Sequence, residues 1–306
     1  MADYQFLQNP LTKRWVIFSP RRAKRPDIAK GIEPVCPFCP NKESKDKEVY
    51  RFPSLTSSGE TLESWKIRVV HNKFPFAPIH EVIIHSSGHY SNFDKLPKSQ
   101  VELILKTYRQ RYNEHKNKGQ VYIFHNHGEG GGESLPHPHS QLAVIPGDIK
   151  TDLPRLASDD ELAEVTKGEG IKKTKYFNIF CPKTSQWPDE VWIAPHGRGK
   201  PFGEIEDKEI EELAFVLPRL IQIFDMRHGM EFPFNFYIYP GGDWYMRIVP
   251  RVKNLGGFEV GTGIFVNTQE PIETINFIKK HFDQPIGGSN EKEIKTVDRA
   301  AYHKAV

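Results

Sequence analysis

The stretch 120–146, QVYIFHNHGEGGGESLPHPHSQLAVIP, reads as strand, glycine-rich loop, strand, and the stretch 234–252, FNFYIYPGGDWYMRIVPRV, reads the same way. Aromatic and β-branched runs mark the strands, and the glycines mark the loops between them. The echo continues outward. HEVII at 80–84 gives a strand, and DKLPKSQVELILKTYRQRYNEHK at 94–116 gives a helix with Val101, Ile104, Leu105 and Tyr108 at helical spacing. Before the second stretch, DEVWIAPHG at 189–197 and IEDKEIEELAFVLPRLIQIFDMRHG at 205–229 follow in the same order. Each half is then strand, helix, strand, glycine loop, strand, and a duplicated unit of this kind constrains the whole architecture. The halves run over 1–150 and 175–288, with a charged connector between them that carries one short helix at 159–167. Residues 289–306 hold too few apolar side chains to pack and read as a weakly ordered tail.

A chain of 306 residues can bury a sizeable core. Its 42 basic and 39 acidic residues leave a formal charge of +3. With no long basic stripe, nucleic acid is not an expected partner, whereas a phosphate-bearing small molecule is compatible. MADYQFLQNP has no apolar signal core, and no stretch approaches the ~20 apolar residues of a membrane span, so a cytoplasmic protein is expected. NPLTKRWVIFSP at 9–20 reads as a strand bounded by Pro10 and Pro20, followed by the basic cluster RRAKRP at 21–26. WKIRVVHNKFP at 65–75 reads as a strand ending at Asn72, because Pro75 and Pro78 cannot continue a ladder.

Three cysteines are too few for a disulfide framework. Cys36 and Cys39 have the two-residue spacing of zinc ligands, which would supply half of a tetrahedral site; the bland alternative is a pair of structural thiols. The missing ligands would have to be histidines distant in sequence. In LPHPHSQ, the residues His137, His139 and Gln141 would share one face of a strand that started early enough. Pro136 and Pro138 argue against ladder positions there. The glycines just upstream could bring backbone N–H groups close to an anionic oxygen.

The motifs NPLTKRWVIFSPRRAKRP, CPFC, NKFP, HPHSQ and GGFEVG occur in the order found in the galactose-1-phosphate uridylyltransferase family, a branch of the histidine-triad superfamily, which this chain resembles from about Asn9 to Asn267. The resemblance implies an α+β fold of two histidine-triad-like halves, each an antiparallel sheet with a packed helix. It implies that His139 is the nucleophile and would carry a nucleotidyl group, with Gln141 and Ser134 hydrogen-bonding the phosphate oxygens. A glutamine in place of the third histidine of simple histidine-triad hydrolases cannot activate water, so Gln141 favours transfer over hydrolysis. One structural zinc per chain is implied at Cys36, Cys39, His89 and His137, with His85 and His80 as near rivals of His89.

For the substrates, the resemblance points to Arg22 and Arg25 near the phosphates, to Asn72, Phe74 and Asn126 at the nucleotide, and to Lys253 and Glu259 in a segment that reaches the sugar phosphate from a partner subunit of a homodimer. The expected reaction moves a nucleotidyl group between a nucleotide sugar such as UDP-glucose and a hexose 1-phosphate. Some departures favour a phosphorylase that splits ADP-glucose with inorganic phosphate. Lys73 stands where uridylyltransferases have aspartate, Phe258 replaces a tyrosine, and Phe265 falls at a hexose-contacting glutamine. GFEVGTG at 257–263 is similar to the motif of such plant enzymes. The iron site of some members is not expected, since the late strand DWYMRIVPRV carries no histidine. A non-catalytic nucleotide-binding protein is a third reading, but it would need neither His139 nor Gln141. Cys181, Trp192 and Trp244 are expected to pack.

Overall fold

The computed structural model describes residues 4–24, 36–40, 48–53, 65–156 and 170–285. Arg25, the expected connector helix at 159–167 and the tail at 289–306 lie outside these residues. Within the segment 9–20 expected to be a strand, only β2 (Trp15–Phe18) is one, and it pairs in a hairpin with β1 (Gln5–Gln8), which precedes that segment. Its turn is tied by Asn9, whose Oδ1 accepts the Leu11 and Thr12 N–H groups, both at 2.9 Å.

The other strands are β3 (Glu48–Phe52), β4 (Ile67–His71), β5 (Ile79–Ile84), β6 (Gln120–His127), β7 (His139–Ile145), β8 (Ile171–Lys173), β9 (Phe177–Phe180), β10 (Val191–Pro195), β11 (Phe234–Ile238) and β12 (Met246–Pro250). They form one antiparallel sheet in the order β3-β4-β5-β7-β6-β11-β12-β10-β9-β8. Read inward from either edge the order is the same: three successive strands, then the later and the earlier strand of a hairpin. The stretches 120–146 and 234–252 form those hairpins, and β6 pairs with β11 where they meet. The glycine loops thus fall at corresponding places of the two hairpins.

Helices α1 (Lys98–His115) and α2 (Asp207–His228) cover one face. A continuous core joins Val101, Ile104 and Leu105 of α1 and Leu217, Leu220 and Phe224 of α2 to strand residues of both halves, among them Ile83, Leu142, Phe236 and Ile248. Strand alternation then puts Leu142 and Val144 of β7 under the helices and turns His139, Gln141 and Ala143 to the opposite face. Trp244 and Cys181 are in this core and Trp192 in a smaller cluster with Tyr237 and Tyr245, so all three pack. Two more helices, α3 (Gly257–Thr262) and α4 (Pro271–Phe282), follow β12.

Candidate active site and metal centre

Pro136 and Pro138 interrupt the ladder, so β7 begins at His139 and His137 lies before it. The three side chains therefore do not line one strand face. His137 turns toward the CPFC loop, where the donor atoms of Cys36, Cys39, His89 and His137 all lie within 4.8 Å of one another. Sγ of Cys39 is 3.0 Å from Nδ1 of His89, and both thiols are 3.7 Å from Nδ1 of His137. Tetrahedral zinc, with bonds of about 2.3 Å to sulfur and 2.0–2.1 Å to nitrogen, places such atoms about 3.5 Å apart. Nε2–H of His137 donates to the Ser86 carbonyl at 2.8 Å, which aims the Nδ1 lone pair at the thiols.

Burial holds the His137 imidazole neutral, down at about 4, and pushes the Cys36 thiol up to about 11. Such a thiol ionises readily only against a nearby positive charge, which a bound metal would supply. The donor set therefore fits a closed four-ligand metal site. Neither rival histidine joins it. His85 is hydrogen-bonded to Ser140 and Tyr108, and His80 to Gln141.

His139 is buried, and its Nδ1–H donates to the His137 carbonyl at 2.8 Å. That bond fixes the tautomer: Nε2 is the ring atom that keeps a basic lone pair. Beneath it, on the helix side of β7, His125 bonds the His139 carbonyl at 2.9 Å and Ser140 at 3.3 Å, and Ser140 also bonds His85 at 2.8 Å. Tyr108 closes this group through Ser140. Burial keeps His85 and His125 neutral, far below the usual imidazole range.

Gln141 is oriented by a chain of one-way donors. The Phe76 N–H donates to Nδ1 of His80 at 3.3 Å, so Nε2 of His80 carries the proton and donates to Oε1 of Gln141 at 2.9 Å. Nδ2 of Asn72 donates to the same oxygen at 3.3 Å. The Gln141 amide nitrogen is thereby turned the other way, as a donor. Oδ1 of Asn72 accepts the Phe74 N–H at 2.8 Å, and Nη1 of Arg22 donates to the Phe74 carbonyl at 2.6 Å. Arg22 also lies over the Phe76 ring, 4.9 Å from its centre. Arg22, Asn72 and Phe74 are thus brought together with Gln141.

Ser134 is half-buried in the glycine loop. That loop is closed between Gly128 and Glu133: the Glu133 N–H donates to the Gly128 carbonyl at 3.1 Å, and the Gly128 N–H to the Glu133 carboxyl at 2.8 Å. Burial raises Glu133 to about 7, the Gly128 hydrogen bond pulling back only in part. Phe124 of β6 pairs with Gln141 of β7, so Asn126, two residues on, comes level with His139. Oδ1 of Asn126 accepts from Asn235 of β11 at 2.8 Å.

Lys253 and Glu259 stand in their own segment, 3.3 Å apart, with Lys253 also bonded to the Val266 carbonyl at 2.6 Å and Glu259 accepting the Gly256 N–H at 3.1 Å. In the second half the chemistry of β12 differs. Met246 and Ile248 enter the core, and Arg247 pairs with Glu190 at 2.7 Å. From the sequence, His80 stands only as a rival ligand, and neither Asn235 nor Arg251 is singled out. The signal for His80 was the alternation in HEVII, which puts it on the same face as Gln141.

Fold and site define an α+β protein with a buried imidazole presented beside a glycine loop. Residues 3–144 match the family model described as galactose-1-phosphate uridyl transferase, N-terminal domain. An ADP-glucose phosphorylase of Arabidopsis thaliana is 26% identical over 328 residues, spanning 89% of this chain and 92% of the relative. A galactose-1-phosphate uridylyltransferase of Thermotoga maritima is 26% identical over 310 residues, spanning 89% and 96%. The crystal structure of an Arabidopsis thaliana ADP-glucose phosphorylase with bound ADP-glucose superposes with a TM-score of 0.67 at 23% identity, covering 90% of this chain and 98% of that one. The N-terminal part of the chain matches that family's model, relatives named galactose-1-phosphate uridylyltransferase span most of the rest, and these similarities support a nucleotidyltransferase.

Proposed function

We propose that the protein moves a nucleotidyl group from a nucleotide sugar to a second sugar 1-phosphate through a covalent nucleotidyl-His139. The observation that carries this is the bond from His139 Nδ1 to the His137 carbonyl, because it leaves Nε2 as the nucleophilic nitrogen. Nε2 attacks the α-phosphorus, the P–O bond to the β-phosphate breaks, and sugar 1-phosphate leaves with the electron pair. The acceptor's phosphate oxygen then attacks the same phosphorus and His139 departs neutral. The Gln141 amide, Asn126 and Ser134 donate to phosphate oxygens as charge shifts onto them. Arg22, Asn72 and Phe74 form the nucleotide end, and Arg25 is assigned there by resemblance alone.

Cys36, Cys39, His89 and His137 would hold one structural zinc, whose chemistry is to tie the CPFC loop to the approach of β7. Reduced thiols in that set suit a reducing compartment such as the cytoplasm. Leu7, Val16, Phe18, Phe258, Val260 and Ile264 are exposed along the β1–β2 hairpin and the segment around α3. Such apolar exposure supports a homodimer in which Lys253 and Glu259 serve a partner's site.

A phosphorylase acting on ADP-glucose is the second reading, favoured by Lys73 at the nucleotide end and by the similarity to the Arabidopsis phosphorylase. The test is incubation with UDP-glucose or ADP-glucose alone, followed by intact mass and then by galactose 1-phosphate or inorganic phosphate. A uridylyl adduct discharged by galactose 1-phosphate is expected. An adenylyl adduct discharged by phosphate selects the second reading, and no adduct with either sugar nucleotide contradicts both.

A further inference from the structure

The half that lacks a nucleophile also reaches the site. A guanidinium has donors and no acceptor. Nη1 of Arg251 donates to Oδ1 of Asn235 at 3.0 Å, so the Asn235 amide must turn its Nδ2 the other way. There Nδ2 donates to the Gly131 carbonyl at 2.7 Å and to Oδ1 of Asn126 at 2.8 Å. The Gly131 carbonyl can only accept, so it demands the same orientation independently of Arg251. With its oxygen committed to Asn235, Asn126 must present its own Nδ2 as a donor, level with His139.

The backbone supports this chain of contacts. Asn235 is directly opposite Asn126 in the β6–β11 ladder. The Arg251 guanidinium lies over the Trp187 ring, 4.4 Å from its centre, and the Arg251 backbone N–H donates to the Pro233 carbonyl at 2.7 Å. The glycine loop lies tight against the same strand. A Cβ on Gly131 would come 2.9 Å from the Phe234 carbonyl oxygen and 3.4 Å from Nδ2 of Asn235.

Resting on the nucleotidyl-transfer reading, we propose that Asn235 and Arg251 are positioning residues: they fix the Asn126 amide as a donor to the substrate's phosphate and hold the glycine loop at that place. The second half is then the orienting half of the site, and not only a scaffold.

The experiment is single-turnover formation of the nucleotidyl-enzyme, followed by intact mass at saturating UDP-glucose or ADP-glucose, whichever labels the wild type. Asn235→Ala is expected to slow the step on the order of tenfold, with less effect on half-saturation. Asn235→Asp, nearly identical in shape, is expected to be slower still. A carboxylate cannot donate, so it attracts Nδ2 of Asn126 and turns Oδ1 of Asn126 toward the phosphate. In an Asn126→Ala background, Asn235→Ala should add less than about a twofold loss.

An aspartate variant as fast as the alanine variant, or penalties that simply multiply in the double variant, would overturn the inference. Should the aspartate variant not fold, the alanine cycle decides alone. A labelled wild type with an equally fast Asn235→Ala contradicts this inference but not the transfer reading. A wild type that takes no label removes both.

Discussion

His80 shows how far a single side chain can set the direction of another. Its ring is tilted 56° against that of Phe76 with centres 4.1 Å apart, its Nδ1 accepts that residue's N–H, and its Nε2–H donates to Gln141. His80→Phe keeps the ring and removes the donor, so the Gln141 amide loses one of two contacts on its oxygen. The expected result is slower nucleotidyl-enzyme formation, on the order of tenfold, less than the loss of a donor that touches the phosphate directly. Metal content should not change; an unaltered transfer rate would contradict the role. Glu133 makes a prediction about pH. Held at about 7 by burial, against an ordinary 4.5, it is neutral below pH 7 and gains a negative charge above it, in a loop that would meet phosphate. KM for the nucleotide sugar should rise as pH climbs through 7, and Glu133→Gln should keep it level; identical profiles would count against this. Because the native carboxyl keeps its proton longer than the unfolded chain does, this group's contribution to stability falls between about pH 4.5 and about 7.

At the scale of elements, the four residues of the Cys/His cluster that could hold a metal come from separate places: the CPFC loop, the loop after β5 and the residues just before β7. A metal there cross-links segments that are far apart in sequence, so its removal loosens the approach to His139. Cys36→Ser should purify with less than half the zinc of the wild type by elemental analysis and melt several degrees lower; full zinc with an unchanged melting temperature would contradict the assignment. These loops also show what could be read beforehand. The long amphipathic helix at 98–115 and the paired hairpins were legible because their periodicity runs over many residues. β3, β8 and β9 were not, since EVYRF, IKK and FNIF are too short and too mixed for a pattern to emerge. α3 and α4 went unread as well. The four residues of the Cys/His cluster were named together through motif resemblance, and spacing alone offered only its two cysteines. The contacts among His85, Tyr108, His125 and Ser140 were hidden because one small network draws on two strands, the residue after a third and a helix.

Across the whole molecule, the two halves share a sheet and a core. β6 and β11 pair along Ile123–His127 and Phe234–Ile238, and the buried cluster runs from Ile67 to Phe282 without a break between halves. We expect one cooperative unfolding transition in denaturant, with tryptophan fluorescence and far-ultraviolet dichroism coincident. Two separated transitions would mean that the halves 1–150 and 175–288 fold as independent domains. The shared sheet gives functional meaning to the unequal division between the halves, since one supplies the imidazole and the other reaches across the central seam to the same site. The central claim is that HPH divides its labour, His137 to the metal and His139 to the nucleotide. The most direct measurement is peptide mapping of the trapped nucleotidyl-enzyme by tandem mass spectrometry: the account predicts the phosphoramidate on His139, and a nucleotidyl group on His137 or on a residue outside this motif would contradict it.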